Sequence, residues 1–234
     1  MPNGKASKVR LIKTEDGSNT LYLPSLEETY HSSHGALQES EYVYIKRGLK
    51  YLAETTGKVK ISILEVGFGT GLNALLTARF CAQHPDLSIN YITLEPFPLD
   101  LKILLSLNYS DLLPDLEKTW RLICTSNWGE PIQILKNLEV TKLNSRIEEF
   151  KSSHSYDLVY YHAFAPNKQP EIWNLEIFQK LHSMMTPDGI LSTYCAQSQF
   201  KNNLRTAGFQ VESLEGAPGK FEMVRAKVLP ANDL

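Results

Sequence analysis

Cysteine is scarce in this chain: Cys81, Cys124 and Cys195 are the only three in 234 residues. They are odd in number and scattered, with no Cys-x-x-Cys and no Cys/His cluster, so neither a disulfide framework nor a zinc site is supported. A reducing, cytoplasmic setting fits such usage. Long apolar runs are missing as well. Nothing approaches the roughly 18 consecutive apolar residues of a membrane span, and the polar segment Met1–Arg10 carries no secretory signal. An excess of one charge is also absent, since 24 Lys and Arg face 26 Asp and Glu for a formal net charge of −2. That balance argues against coating nucleic acid by bulk electrostatics, while leaving room for a local basic patch. His31, His34, His84, His154 and His182 fall at no ligand spacing, so no metal is expected. No repeat or low-complexity tract interrupts the chain.

What is present is alternation. Val9–Thr14 and Thr20–Leu23 read as a β-hairpin around a Gly-containing loop. Leu37–Glu54 places Leu37, Tyr44, Ile45, Leu49 and Leu52 at roughly helical spacing. These two features make residues 1–56 an N-terminal extension. From residue 57 to 234 strands and helices alternate: strand Ile61–Val66, helix Leu72 to about Ala82, strand Ile89–Leu94, helix Leu99 to Leu107. A less legible middle follows, broken by Pro114 and Pro131, with a second hairpin of Ile132–Leu135 and Val140–Leu143. Then come strand Asp157–Tyr161, a helix Ile172–Met184 stopped by Pro187, strand Gly189–Tyr194 and helix Gln197–Ala207. Two last strands, Phe209–Leu214 and Phe221–Val228, form an antiparallel edge hairpin. Alternation of this kind predicts a mostly parallel α/β sheet covered on both faces.

One strand–helix junction carries chemistry. In Leu64-Glu65-Val66-Gly67-Phe68-Gly69-Thr70-Gly71-Leu72-Asn73 the glycines fall where ligands bind in open α/β sheets. The dinucleotide spacing G-x-G-x-x-G would need a third glycine at position 72, which is Leu72, and no Gly-Lys-Ser/Thr follows for a P-loop. The observed E-x-G-x-G-x-G instead resembles the first motif of S-adenosylmethionine enzymes. Strand Tyr91-Ile92-Thr93-Leu94-Glu95 ends in an acid, and a carboxylate there can accept hydrogen bonds from both hydroxyls of a ribose. A third strand, Tyr156–Tyr161, runs into His162-Ala163-Phe164-Ala165-Pro166 at the same sheet edge, where a methyl acceptor would lie. Methyl transfer to an amine asks the protein to position two reactants and manage a proton. An aromatic ring and a proline can clamp a planar or cationic group, and an imidazole with an ordinary pKa near ~6.5 can accept the proton.

The strings LEVGFGTGLN, YITLEPFPL, HAFAPNKQPEIW and GAPGKFEM resemble the transfer RNA wobble-uridine methyltransferases that act on 5-aminomethyl-2-thiouridine, in their free-standing form. Tyr30-His31-Ser32-Ser33-His34-Gly35-Ala36-Leu37-Gln38-Glu39-Ser40 is similar to the opening segment of that family, and the likeness runs from Tyr30 to Val224. It implies a Rossmann-like class I fold with a seven-stranded sheet, and S-adenosylmethionine as cofactor. It also implies transient tRNA binding, and a separate FAD-dependent oxidase acting upstream. Residue by residue, it implies that Glu65, Gly67, Phe68, Gly69, Thr70, Gly71, Asn73, Glu95 and Pro96 surround the cofactor. His162, Phe164 and Pro166 would form the catalytic segment. Tyr30 and Ser32 would contact substrate, with Lys168 and Lys220 on RNA phosphates. Two positions depart from the pattern. His162 stands where the family has an Asp, and Asn144-Ser145-Arg146 lacks the Asp that often holds the adenine amine, leaving Ser145 or a backbone carbonyl to do so. Two other readings remain open: a small-molecule amine methyltransferase, and a cofactor- or RNA-binding protein that lost turnover with its Asp.

Overall fold

The computed structural model describes residues 9–229, so most of the polar start Met1–Arg10 lies outside the described residues. Strands β1 (Arg10–Lys13), β2 (Asn19–Leu23) and β3 (Glu28–Thr29) form a small antiparallel sheet, which contains the expected first hairpin. A continuous helical stretch follows: α1 (Ala36–Ser40), a π-helical segment Glu41–Lys50, and α2 (Tyr51–Thr56). The Ser192 hydroxyl donates to the Val43 carbonyl inside the π segment at 2.7 Å, which ties it to the main sheet.

The main sheet comprises β4 (Lys60–Val66), β5 (Ser88–Leu94), β6 (Pro131–Leu135), β7 (Leu138–Leu143), β8 (Tyr156–Tyr161), β9 (Met185–Thr193), β10 (Phe209–Glu215) and β11 (Glu222–Val228). Their order is β10-β11-β9-β8-β4-β5-β7-β6. The five central strands are parallel, and both edges are antiparallel. The expected seven strands are therefore eight. The extra one is β6, which pairs with β7 as the hairpin read from the sequence and so lengthens the sheet at its outer edge.

Burial follows the pleat. Along β8, Leu158 and Tyr160 enter one apolar cluster while Val159 and Tyr161 enter the other, as a strand covered on both faces requires. The first cluster also takes Leu21, Val43, Tyr44 and Leu49, so the N-terminal segment shares a core with the α/β unit. Most of its other helical residues come from α3 (Leu72–Gln83) and α6 (Glu117–Thr125). The second cluster lies under α7 (Leu175–Ser183) and α8 (Ser198–Thr206).

Three local expectations change. The helix expected over Leu99 to Leu107 is one short turn, α4 (Leu101–Leu104), and a second short turn, α5 (Tyr109–Leu112), follows it. Between them Asn108 turns aside to clamp the first hairpin, donating to the Gly17 carbonyl and accepting from the Asn19 N–H. Pro114 opens a 3-10 turn, Pro114–Leu116, that leads directly into α6 and buries Trp120, Ile123 and Cys124. Pro187 does not follow a helix stop by several residues but sits inside β9, where the register with β8 shifts and Asp188 adopts φ 63°. A bulge is where a strand tolerates a residue without an N–H.

One buried carboxylate joins three central strands. Asp157 accepts from the Ser62 N–H at 2.9 Å, the Thr186 hydroxyl at 2.9 Å and Lys58 Nζ at 2.5 Å. Asp157→Ala strands two of these donors in the sheet, each costing about 1–3 kcal/mol. Thermal unfolding is expected to show a loss of about 2–4 kcal/mol, and an unchanged melting temperature would refute the role.

Candidate active site

The sheet reverses direction of winding at β4, which has β5 on one side and β8 on the other. Loops leaving adjacent strands diverge there and leave a crevice. In this chain the crevice is a cavity of about 870 Å³, near the top of the range usual for small-molecule sites, roughly 300–1,000 Å³. Its floor is a backbone contact. A Cβ on Gly67 would stand 2.4 Å from the His162 carbonyl oxygen, and Gly67 has φ 96°, so both space and conformation require glycine. Two residues on, Gly69 (φ 53°) leaves room for Tyr30, whose Cδ1 would lie 3.0 Å from an added Cβ.

The glycine loop divides into residues that face the cavity and residues that hold it up. Gly67 and Gly69 line the cavity, as do Glu95, Pro96 and Ser145. Glu65, Phe68, Thr70, Gly71 and Asn73 do not. Glu65 is fully buried and accepts from Asn73 Nδ2 at 3.0 Å and the Thr93 hydroxyl at 2.7 Å. Burial pushes its carboxyl up to about 8, against those two hydrogen bonds. Phe68 packs edge-on against Trp128 and closes over Gly71, while Thr70 accepts from the Tyr109 hydroxyl at 3.1 Å. Beneath Phe68 and Trp128 lies the ammonium of buried Lys142, with a pKa lowered by burial to about 8. These five residues shape the loop from behind, outside the cavity lining.

Glu95 ends β5 as read from the sequence. Its Oε2 accepts the Gly69 N–H at 3.0 Å and its Oε1 the Phe97 N–H at 2.9 Å. Burial raises its pKa, with those two donors opposing. Each oxygen keeps a second lone pair for a ligand. The Ser145 hydroxyl donates to the Arg146 carbonyl at 3.1 Å, and Arg146 stacks over the Phe97 ring at the rim. The sequence reading passed over Phe97, Leu99, Ile103 and Ile147, which complete this half of the lining. Only their nearness to Glu95 and Ser145 in the chain could have flagged them.

The other half of the cavity is built around His162. Its ring lies 4.8 Å from His31 and 5.3 Å from Tyr44, and Nε2 is 3.2 Å from the Tyr30 carbonyl oxygen. A carbonyl only accepts, so Nε2 carries the hydrogen and Nδ1 is bare, buried and without a partner. Burial holds the pKa below 6.5, with Glu39 and the Tyr30 and Gly67 backbones pulling the other way. The imidazole is thus neutral, as a proton acceptor must be. His162 lines the cavity, with Nε2 held by the Tyr30 carbonyl and Nδ1 buried. Phe164 lines the cavity and meets the Tyr30 ring edge-on at 5.0 Å, whereas Pro166 stands outside the lining.

Tyr30 and Ser32 also line the cavity. Lys168 does not, and is 3.8 Å from Glu27 on the surface. Lys220 lines it but is paired with buried Glu39 at 2.6 Å, so it is no spare cation for a phosphate here. His31, Glu39 and Tyr194, none of them singled out from sequence, share this wall. Glu39 was hidden inside an amphipathic helix pattern, and Tyr194 ends a strand like any core residue.

Residues 125–228 match the protein family described as S-adenosyl-L-methionine-dependent methyltransferase. Over 91% of its length the chain is 27% identical to the tRNA 5-methylaminomethyl-2-thiouridine biosynthesis bifunctional protein MnmC of Pseudoalteromonas atlantica, covering 33% of that protein. It is 28% identical to the MnmC of Leptospira interrogans, over 85% of this chain and 32% of that one. The chain therefore spans about a third of the length of the curated relatives it matches. Among solved structures, MNMC2 of Aquifex aeolicus aligns over 99% of this chain and 75% of its own, with a TM-score of 0.74 and 24% identity. Spermidine synthase of Thermotoga maritima aligns over 99% and 74%, with a TM-score of 0.53 and 12% identity. The fold is that of the Rossmann-like class I S-adenosylmethionine-dependent methyltransferases.

Two outcomes test the site's construction. Gly57 (φ 65°) has open space around it, so Gly57→Ala bears only the left-handed backbone cost, about 1–2 kcal/mol. Gly67→Ala adds a clash between two backbones and is expected to cost clearly more in thermal melts; equal losses would contradict the close approach. The second concerns pH. His31 and His162 both have pKa values lowered first by burial, and unfolding restores an ordinary imidazole that binds a proton near 6.5. Their contribution to stability is whole above that value and falls as pH drops below it. His31→Gln should therefore flatten the loss of melting temperature between about pH 7.5 and 5.5. An unchanged slope would mean that His31 titrates normally.

Proposed function

Starting from a chain that is MnmC methyltransferase-like in sequence and fold, we propose that it transfers a methyl group from S-adenosylmethionine to the aminomethyl nitrogen of a modified wobble uridine in tRNA. The product would be 5-methylaminomethyl-2-thiouridine. The observation that carries the reading is the meeting of three sheet-edge segments, Gly67–Gly69, Glu95–Phe97 and His162–Phe164, around one cavity at the β4/β8 reversal. The residues present fit the cofactor, because the glycine cradle is one that a Cβ would fill and Glu95 is a half-buried acid with free lone pairs at a strand end. When bound there, S-adenosylmethionine supplies an electrophilic methyl group.

The chain's own residues supply position and surroundings. Gly67 and Gly69 would let a ligand lie against backbone, Glu95 would accept ribose hydroxyls, and Pro96, Phe97 and Ser145 would border the base. Glu65 and Asn73 hold the loop at its height from below. On the acceptor side Phe164 and Tyr30 form an aromatic wall suited to a planar nucleobase. His162 fixes the Tyr30 backbone through Nε2, and its neutral ring adds no charge that would repel an amine cation. Methyl transfer is an in-line displacement: the S–CH3 bond would break as the N–CH3 bond forms, S-adenosylhomocysteine would leave, and the proton given up by the amine would pass to solvent through the cavity, with these walls aligning the two reactants. In this reading residues 57–234 form the catalytic unit and residues 1–56 an extension that contributes Tyr30 and Ser32 to the acceptor wall. A separate FAD-dependent oxidase acting upstream would release the free amine from its precursor, in the cytoplasm. Among the described residues no helix is long and apolar enough to cross a membrane.

The decisive assay is mass spectrometry of nucleosides from hypomodified tRNA incubated with the protein and S-adenosylmethionine. Gain of the methylaminomethyl nucleoside is expected, and none with cognate tRNA would end the proposal. Glu95→Ala removes charge-assisted hydrogen bonds worth about 1.5–3 kcal/mol. Cofactor Kd is expected to rise about tenfold or more by calorimetry. An unchanged Kd would remove Glu95 from the cofactor site.

A further inference from the structure

Five carboxylates line the cavity, and Glu39, 3% exposed, is the one that is buried. Its Oε2 accepts the Ser32 N–H at 2.8 Å, and its Oε1 lies 2.6 Å from Lys220 Nζ. The same ammonium sits 4.1 Å from the centroid of the Tyr194 ring. That ring is fixed by its hydroxyl, which donates to the Ala163 carbonyl at 2.8 Å, within the acceptor segment. A carboxylate beside an aromatic face is a cage for an alkylammonium ion. Lys220 fills it with a primary ammonium on a CH2 group, the same terminal group that an aminomethyl nucleobase carries.

We propose that the Glu39–Tyr194 cage is the subsite for the primary ammonium of the acceptor, and that Lys220 is a stand-in which the acceptor displaces. The inference rests on the amine-methyltransferase reading above and names how its substrate is recognised. Stripping a buried carboxylate of its cation is strongly unfavourable, whereas exchanging one ammonium for another keeps the pair intact. Lys220 therefore leaves only when another cation arrives. Its side chain is 29% exposed and the next residue, Phe221, is fully exposed, so the displaced ammonium has a way out to solvent. A hydroxymethyl group carries no cation and cannot make the exchange, so the cage discriminates against it. The other titratable groups around it do not compete. Tyr44 and Tyr194 have pKa values raised by burial, and His31 and His162 are neutral for the same reason. The carboxylate that His162 does not provide is thus supplied from the first helix.

The test is calorimetric binding of two nucleosides, 5-aminomethyluridine and 5-hydroxymethyluridine, to the full chain with S-adenosylhomocysteine present. Wild type is expected to prefer the amine by about tenfold or more. Glu39→Gln should erase that preference while leaving S-adenosylhomocysteine affinity unchanged. Lys220→Met, which removes the competitor, should strengthen amine binding several-fold. Thermal melts check folding, and if Glu39→Gln alone fails to fold, Lys220→Met carries the test. A retained preference in Glu39→Gln, weaker amine binding in Lys220→Met, or no binding of the amine to wild type overturns the cage. If the amine preference holds but tRNA is never methylated, the tRNA reading falls and the cage stands. Equal tRNA methylation by Glu39→Gln and wild type does the reverse.

Discussion

The site depends on one approach of backbone to backbone. Gly67 at the end of β4 and His162 at the end of β8 leave neighbouring parallel strands, and the His162 N–H donates to the Val66 carbonyl at 3.0 Å before the loops part. Because the chain winds away in opposite senses from these two strands, nothing fills the space above them. A side chain at position 67 would force the loops apart and lower the floor of the cavity. Everything that faces the ligand space is placed relative to that contact, the glycine cradle on one side and the aromatic acceptor wall on the other.

Above the contact, polar groups set the heights of the two walls. The Glu65 carboxyl with Asn73 and Thr93 fixes the start of α3, and the Glu95 carboxylate fixes the Gly69 and Phe97 amides. On the opposite side the Tyr30 carbonyl takes the His162 Nε2 hydrogen, which binds the N-terminal segment to the acceptor loop. Buried polar groups of this kind define one arrangement, because each has its partners only there. The N-terminal hairpin and helix are accordingly part of the site. They share the core through Leu21 and Val43 and bring Tyr30, His31 and Glu39 to the cavity.

Much of this was legible in the sequence, for identifiable reasons. Strand-ending signals are local, so Gly67, Gly69, Glu95 and the His162–Phe164 segment could be placed at one sheet edge before any coordinates. The alternation of strands and helices was read from hydrophobic period together with proline and glycine stops. What sequence could not separate was the part of a motif that faces a ligand from the part that supports it. Phe68, Thr70 and Asn73 belong to the same string as Gly69, yet their side chains are buried against Trp128, Tyr109 and Glu65. Nor could spacing reveal Glu39 and Lys220 as partners, since they lie on elements far apart in the chain. A lysine near a glycine turn looks like a phosphate contact until its carboxylate is seen.

That pairing bears on the substitution at position 162. An acid there would place a second negative charge in the same wall as Glu39, and two buried carboxylates need two cations or a shared proton. With a neutral imidazole the wall holds one carboxylate and one ammonium, a balanced pair that one cationic ligand can enter by exchange. The histidine also does something an aspartate could not do as an acceptor-only group: its Nε2–H donates to a backbone carbonyl and ties Tyr30 in place. The histidine at position 162 thus serves as an anchor for Tyr30, and the buried negative charge of this wall lies on Glu39.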